Sequence, residues 1–270
     1  MRSITHATLL SEVLSIHRQQ SAFGQQLKHT SRSYVAILSS AENVKLSIII
    51  PTLNEAAAIG KLLAYLRQHT SPETELIVAD GGSTDATTHI AEEMGALVLR
   101  CRPRGRAPQM NAGATAASGD ILYFLHADTF PPEGFELQLR QAVQHGNGSG
   151  CYRLKFDLPH WFLRANAWFT RFDVDALRFG DQSLFVRRGV FLQCGGFDER
   201  LTLLEDQEII RRLRRVAPFV VLPQQVVTSA RKYKEHGVLR LQAVYYLIYG
   251  LYRSGVSQRR LLKVYKWLLS

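Results

Sequence analysis

The chain lacks the features that would place it in several large protein classes. It has three cysteines in 270 residues, Cys101, Cys151 and Cys194, and no C-x-x-C pair. That count excludes a disulfide framework or a zinc knuckle and points to a reduced, cytoplasmic setting. No apolar run approaches the 18 residues a bilayer-spanning helix needs. One near the C-terminus, Val244–Tyr249, has six, and seven with Ala243 before it. No G-x-G-x-x-G follows the first apolar run and no G-x-x-x-x-G-K-[ST] occurs anywhere. Dinucleotide oxidoreductases and P-loop NTPases are therefore set aside.

What is present is ordinary for a folded chain: 46% apolar and 21% charged residues, values that rule out collagen, coiled coil and wholesale disorder. The formal charge of +10 is unevenly placed. Residues 1–45 carry five basic and two acidic side chains, residues 46–230 carry 19 and 20, and residues 231–270 carry nine and one. A neutral body with a basic tail argues against a nucleic-acid partner, whose recognition would concentrate cations around the working cleft. Residues 1–43 hold eight serines and one short apolar cluster, Leu9 to Ile16. They read as an N-terminal extension. Residues 44–230 read as the main domain and residues 231–270 as a basic, amphipathic helical tail.

From Leu46 a strand–helix alternation begins. Strands are expected at Leu46–Ile50, Glu75–Ala79, Ala96–Arg100 and Ile121–Leu125. Helices are expected at Ala56–His69, Thr84–Met94, Ala107–Ala117 and Pro132–Gln144. Further on, strands are expected at Cys151–Phe156, Ser183–Val186 and Val226–Ser229. Helices are expected at Glu205–Arg214 and over roughly 237–252 and 256–269. This is an α/β pattern: a mostly parallel central sheet with helices on both faces, whose ligands bind beyond the carboxyl ends of the strands.

The residues after each strand are therefore the informative ones. Pro51-Thr-Leu-Asn-Glu55 follows the first, and its Asn and Glu can bond a planar ligand edge or cap a helix. Asp80-Gly-Gly-Ser-Thr-Asp85 follows the second. Its glycines permit a tight turn, and Asp80 can accept hydrogen bonds from a nucleobase or ribose. Four arginines between Arg100 and Arg106 can grip a phosphate or simply be solvated. His126-Ala-Asp128 follows the fourth strand, and both side chains can address Mg²⁺ or Mn²⁺. Glu205-Asp206 opens a helix, where acids complement the dipole or where one acts as a general base.

Together these motifs, in this order and spacing over about Leu46 to Arg215, resemble the family 2 glycosyltransferases of the GT-A fold. The resemblance is to a bacterial subgroup with His-Ala-Asp in place of the usual Asp-x-Asp. It implies inverting transfer of one sugar from a nucleoside-diphosphate donor to a hydroxyl acceptor. It implies nucleoside contacts from Pro51, Thr52, Glu55, Asp80 and Ser83, with Arg106 a further nucleotide partner. Asp128 is the implied metal ligand, joined by His126, for Mn²⁺ or Mg²⁺. Asp206 is the implied base, oriented by Glu205. The Gln-x-x-Arg-Trp signature of polymerising relatives is absent, which favours single additions. Two other readings stay open: a non-catalytic nucleotide-sugar-binding protein and a sugar nucleotidyltransferase on a related fold. The acceptor is a small molecule or is lipid-linked. The tail helices either cover the catalytic domain with their apolar faces or lie on an anionic membrane surface.

Overall fold

The apolar run after Lys45 forms strand β1 (Leu46–Thr52), all seven residues of which are buried. The structure is a computed structural model that describes residues 44–174 and 182–270. The expected extension and its apolar cluster at Leu9–Ile16 lie outside the described residues. Helix α1 (Ala56–His69) follows and buries Ile59, Leu62, Leu63 and Leu66, the stripe its spacing predicts. Strand β2 (Glu75–Asp80), helix α2 (Thr87–Glu93), strand β3 (Leu97–Arg100) and helix α3 (Arg106–Ala116) continue the alternation. Helix α2 starts three residues later than expected, because Asp85 turns back to accept hydrogen bonds from the Thr87 amide (3.0 Å) and from the Ala56 amide that opens α1 (3.1 Å).

The second half adds β4 (Ile121–Phe124), β5 (Thr129–Phe130), α4 (Phe135–Gln144), β6 (Ser149–Phe156), α5 (Trp161–Phe169), β7 (Leu184–Arg187), α6 (Arg188–Cys194), α7 (Glu205–Val216) and β8 (Phe219–Thr228). Helices α8 (Arg231–His236), α9 (Val238–Arg253) and α10 (Gln258–Leu269) close the chain. Strand β8 is ten residues long where only Val226–Ser229 was expected. The missed part contains Pro223 and two glutamines. It pairs in parallel along β6, with an irregularity at Tyr152/Arg153, and on its other side meets only the two-residue β5. Proline is tolerated at such a nearly open edge, which hides the strand from a pattern search.

The sheet runs β3-β2-β1-β4-β7-β6-β8-β5. Strands β3, β2, β1 and β4 are parallel, while β7 is antiparallel to both β4 and β6. Period-two alternation divides the core in two. Ile48, Ile50, Val78 and Tyr123 face one layer with α1, α2 and α4. Ile49, Ile77, Leu122 and Phe124 face another with α3, α6 and α7. Helix α3 sits so close to β1 that a Cβ on Gly113 would fall 2.3 Å from Ile49. Because the chain winds outward from β1 to β3 and then returns to β4 on the other side, a crevice opens at the carboxyl ends of β1 and β4.

Candidate active site

A cavity of about 580 Å³ occupies that crevice. Its near wall is the pair of loops after β1 and β2, which hydrogen bonds lace into one unit. Asp80 is the centre of it. Its Oδ2 accepts from the Gly82 and Ser83 amides, both at 2.8 Å. Its Oδ1 accepts from the Ser83 hydroxyl and, at 3.1 Å, from the Thr52 hydroxyl. These four bonds match the full acceptor capacity of a carboxylate. Gly82 takes φ +90°, which the turn requires and a side chain would strain. Asn54, itself left-handed at φ 56°, accepts from the Thr84 amide (2.9 Å) and donates its own amide to the Ser83 hydroxyl (2.8 Å).

Pro51, Thr52 and Glu55 line the cavity, but Asp80 and Ser83 do not; Gly81 stands there in their place. Asp80 is 1% exposed. The acid that closes an apolar strand holds the turn that follows it. Gln109 was not anticipated. Its buried side-chain amide donates to the carbonyls of Thr52 (2.7 Å) and Ala79 (2.6 Å), tying the ends of β1 and β2 together. Nothing in its sequence surroundings marks it beyond its place at the start of α3, after the arginines.

Across the cavity stands the triplet. The Thr129 amide donates to the His126 carbonyl at 3.1 Å, making a tight turn between β4 and β5. Strand β5 is held against β8, where the Thr129 and Thr228 hydroxyls meet at 2.8 Å, and the Ser229 amide donates to the Asp128 carbonyl. His126 and Asp128 both reach the cavity wall. His126 Nε2 lies 4.0 Å from Asp206 Oδ2, so the fold brings together two residues 80 positions apart. Among the described residues no three His, Cys, Asp or Glu side chains gather into a metal cage. A cation here would draw on Asp128 and His126 and complete its shell from phosphate oxygens and water, the usual arrangement for Mg²⁺ at phosphate sites.

Glu205 and Asp206 begin α7 directly after Leu204, a non-glycine residue at φ 66°. A left-handed leucine is strained by roughly 1–2 kcal/mol and persists only where its surroundings impose it. They do so here. The Thr202 and Leu203 amides both donate to Gln258 Oε1, at 3.2 and 3.1 Å, from the first residue of α10. Glu205, 3% exposed, faces Arg106 Nη1 at 3.6 Å. Arg106 thus reaches the cavity as an ion-pair partner of α7. Arg231, just after β8, donates to both oxygens of Glu55 (3.0 and 3.3 Å), and that carboxylate holds the guanidinium above its ordinary pKa. Tyr245 and Tyr265, stacked with centroids 6.5 Å apart, form the far wall. The tail helices are therefore part of the cavity, which the strand-end motifs alone do not reveal.

Comparison with known proteins decides the family. The family model "Glycosyl transferase family 2" matches residues 47–191. A PGL/p-HBAD biosynthesis glycosyltransferase of Mycobacterium tuberculosis is 33% identical over 205 residues, covering 72% of this chain and 78% of that protein. The chain belongs to glycosyl transferase family 2. An uncharacterized glycosyltransferase of Haemophilus influenzae is 28% identical over 191 residues, covering 64% of this chain and 63% of its own. Among solved structures, the mannosyltransferase PcManGT from Pyrobaculum calidifontis, in complex with GDP-Man and Mn²⁺, gives a TM-score of 0.63 at 16% identity, covering 96% of this chain and 83% of that one. Residues 1–349 of S. aureus TarS, in complex with UDP-GlcNAc, give 0.58 at 20% identity, covering 74% and 66%. At these identities the two structures establish the fold alone. This family 2 glycosyltransferase has the GT-A-like fold, and its motifs occupy the strand ends on which the resemblance rested.

Proposed function

We propose that this enzyme transfers one sugar, with inversion, from a nucleoside-diphosphate sugar to an acceptor hydroxyl, with Asp206 as the base. The observation that carries this reading is the position of Asp206. It opens a helix pinned by Gln258, lines the cavity, and faces the His126-Ala-Asp128 turn at 4.0 Å. The Asp206 carboxylate takes the proton of the acceptor hydroxyl as that oxygen bonds to the anomeric carbon. The bond from that carbon to the diphosphate breaks, and its electron pair leaves with the nucleoside diphosphate. Glu205, fixed by Arg106, orients the start of α7 and so sets where the Asp206 carboxylate stands.

The donor nucleoside lies against Pro51, Thr52 and Glu55, on the surface that Asp80 and Ser83 hold in shape. Arg106 serves that end through its pair with Glu205. Asp128, with His126, is the place for Mn²⁺ or Mg²⁺, and such a cation would supply neutralisation of the departing diphosphate. Support for a metal and a nucleotide-sugar donor comes from the chemistry of these side chains and from structures of the same fold, one solved with GDP-Man and Mn²⁺ and another with UDP and Mn²⁺.

Release of nucleoside diphosphate from UDP-, GDP- and dTDP-sugars, with Mn²⁺, Mg²⁺ or EDTA and a panel of hydroxyl acceptors, tests the reading. Release from one donor, lowered about 100- to 10,000-fold in Asp206→Asn with donor binding retained, is the expected result. Asp128→Ala should abolish the response to metal. Donor binding without turnover under every condition would favour the non-catalytic reading. Pyrophosphate as product would favour a nucleotidyltransferase.

A further inference from the structure

We propose that the outer face of α5, α9 and α10 is a docking surface for an anionic lipid bilayer. The inference starts from where this chain keeps its tryptophans. It has three, Trp161, Trp168 and Trp267. They are 68%, 48% and 76% exposed, on α5 and α10. Buried tryptophans anchor cores; three exposed ones in a soluble fold call for a partner.

The helices show the same inversion in their periodicity. Helix α5 buries Leu163 and Ala167 and turns Trp161, Arg164 and Trp168 outward, at the i, i+3, i+7 spacing of one face. Helix α9 has two apolar stripes. One, with Leu241, Val244 and Ile248, is buried. The other, with Leu239, Ala243, Tyr246 and Leu247, is exposed, and the only charged side chains beside it on the helix are the basic Arg240 and Arg253. A helix apolar on both sides is not built for water on one of them. The three helices form one assembly. Leu163, Leu241 and Leu269 share an apolar cluster, and the Tyr246 hydroxyl donates to Asn166 Oδ1 at 3.1 Å, joining the exposed stripe of α9 to α5. Nine of the thirteen large hydrophobic side chains exposed among the described residues lie on these helices or on the segment just after α5.

Charge selects the occupant. Residues 231–270 carry nine basic side chains against one acid, Glu235, which lies on α8. Lys263 and Lys266 flank Trp267 on α10 and are exposed. The Arg171 guanidinium lies 4.2 Å over the Trp168 ring, and the nearby acid Asp173 is paired with Arg214. Exposed indole rings set among lysines that make no ion pair with the described residues suit the headgroup region, where rings sit at the interface and each cation adds about fivefold to partitioning on anionic lipid. A protein partner would have to offer carboxylates and apolar side chains in matching order; an anionic bilayer offers phosphates and acyl chains everywhere. The contact is with the surface, since no helix among the described residues is long and apolar enough to cross.

The arrangement also links surface to site. Tyr245 and Ile248 of α9 line the cavity, while Tyr246 and Leu247, between them in sequence, face outward. An acceptor held at the bilayer would therefore meet the cavity across a single helix. That last step rests on the proposed function; the docking does not, and it is measured without turnover.

The test is flotation of the full chain with phosphatidylcholine vesicles containing about one-third phosphatidylglycerol, read alongside tryptophan emission. Because every tryptophan lies on this face, contact should shift the emission to the blue, and pure phosphatidylcholine should give neither flotation nor shift. Trp161→Ala/Trp168→Ala/Trp267→Ala, with an unchanged circular dichroism melt, should not float. Lys263→Ala/Lys266→Ala, which leaves every tryptophan in place, should partition roughly thirtyfold more weakly. No flotation of the wild-type chain, flotation without a blue shift, or flotation retained in the tryptophan variant would overturn the proposal. So would a concentration-dependent dimer in sedimentation that the tryptophan variant abolishes without any vesicle binding, since the face would then join two copies of the chain.

Discussion

Strand β2 carries a carboxylate at each end, and the two do the same chemistry for different purposes. Glu75, at its amino end, accepts hydrogen bonds from Lys45, Ser47 and the Ser118 amide and hydroxyl. Asp80, at its carboxyl end, accepts from Thr52, Gly82 and Ser83. Each gathers the loops at its end of the parallel strands, and the cavity described above lies at the carboxyl end. In a parallel sheet the strands' carboxyl ends all point one way, so a turn that is merely stabilising at one end becomes a binding surface at the other. The difference lies in position rather than residue type, which is why the motif after β2 reads equally well as a well-made turn and as a ligand site.

The sharpest way to test that comparison is Asp80→Asn. The amide would present hydrogens to donors that cannot accept them, at a cost of about 1–3 kcal/mol, or a fall in Tm of several degrees for a unit of this size. Donor affinity, measured by calorimetry on the nucleoside diphosphate, should fall about tenfold or more as the Gly81–Ser83 backbone loosens. Unchanged affinity with a lowered Tm would make the two ends of β2 equivalent, both merely structural.

A smaller effect is expected at Gln109→Met, which keeps the volume and removes two hydrogen bonds to the Thr52 and Ala79 carbonyls. At about 1 kcal/mol for each bond, the Tm should drop by a few degrees. The donor KM should rise severalfold while kcat moves less, because both hydrogen bonds go to the wall proposed to hold the nucleoside. A fall in kcat at constant KM would place Gln109 in a different role.

How far the sequence foretells this site depends on whether a residue acts locally. The strand–helix order from β1 to β4 follows directly from buried β-branched runs and the Ile59, Leu62, Leu63, Leu66 stripe. Thr52, Glu55, His126, Asp128, Glu205 and Asp206 stand at strand or helix ends, and the fold brings all of them to one cavity. What the sequence hides is partnership across long separations. Glu55 and Arg231 are 176 residues apart, and Leu203 and Gln258 are 55 apart. No periodicity encodes such pairs. Asp80 is hidden for a different reason. Its position was clear, but whether its oxygens face a ligand or its own turn depends on torsions that composition does not reveal. The tail resisted because α9 is apolar on two sides, so covering the domain and facing a bilayer are both true of it in the geometry proposed here.

The smallest effect belongs to Glu75→Gln, and it completes the comparison because it should be invisible to catalysis. Partial burial opposes ionisation of Glu75, but the hydrogen bonds from Lys45, Ser118 and Ser47 outweigh it and bring the carboxyl from 4.5 down to about 2. A carboxylate whose folded pKa is depressed stabilises the fold above its unfolded pKa and loses that contribution as pH falls through the folded value. The wild-type protein should therefore melt above the glutamine variant at neutral pH. With solvent screening of a partly exposed group allowed for, about 1 kcal/mol, or roughly 2–4 °C, is expected. The gap should hold down to about pH 4.5 and close between there and about pH 2. Donor affinity and kcat at neutral pH should match the wild type, because the amino ends of the strands lie away from the cavity. A Tm gap that persists at pH 2 would mean that the amide's shape, not the carboxylate's charge, is what the loops lose. A loss of donor affinity would mean that strain at one end of β2 reaches the turn at the other, and the two ends would have to be treated as a single coupled device.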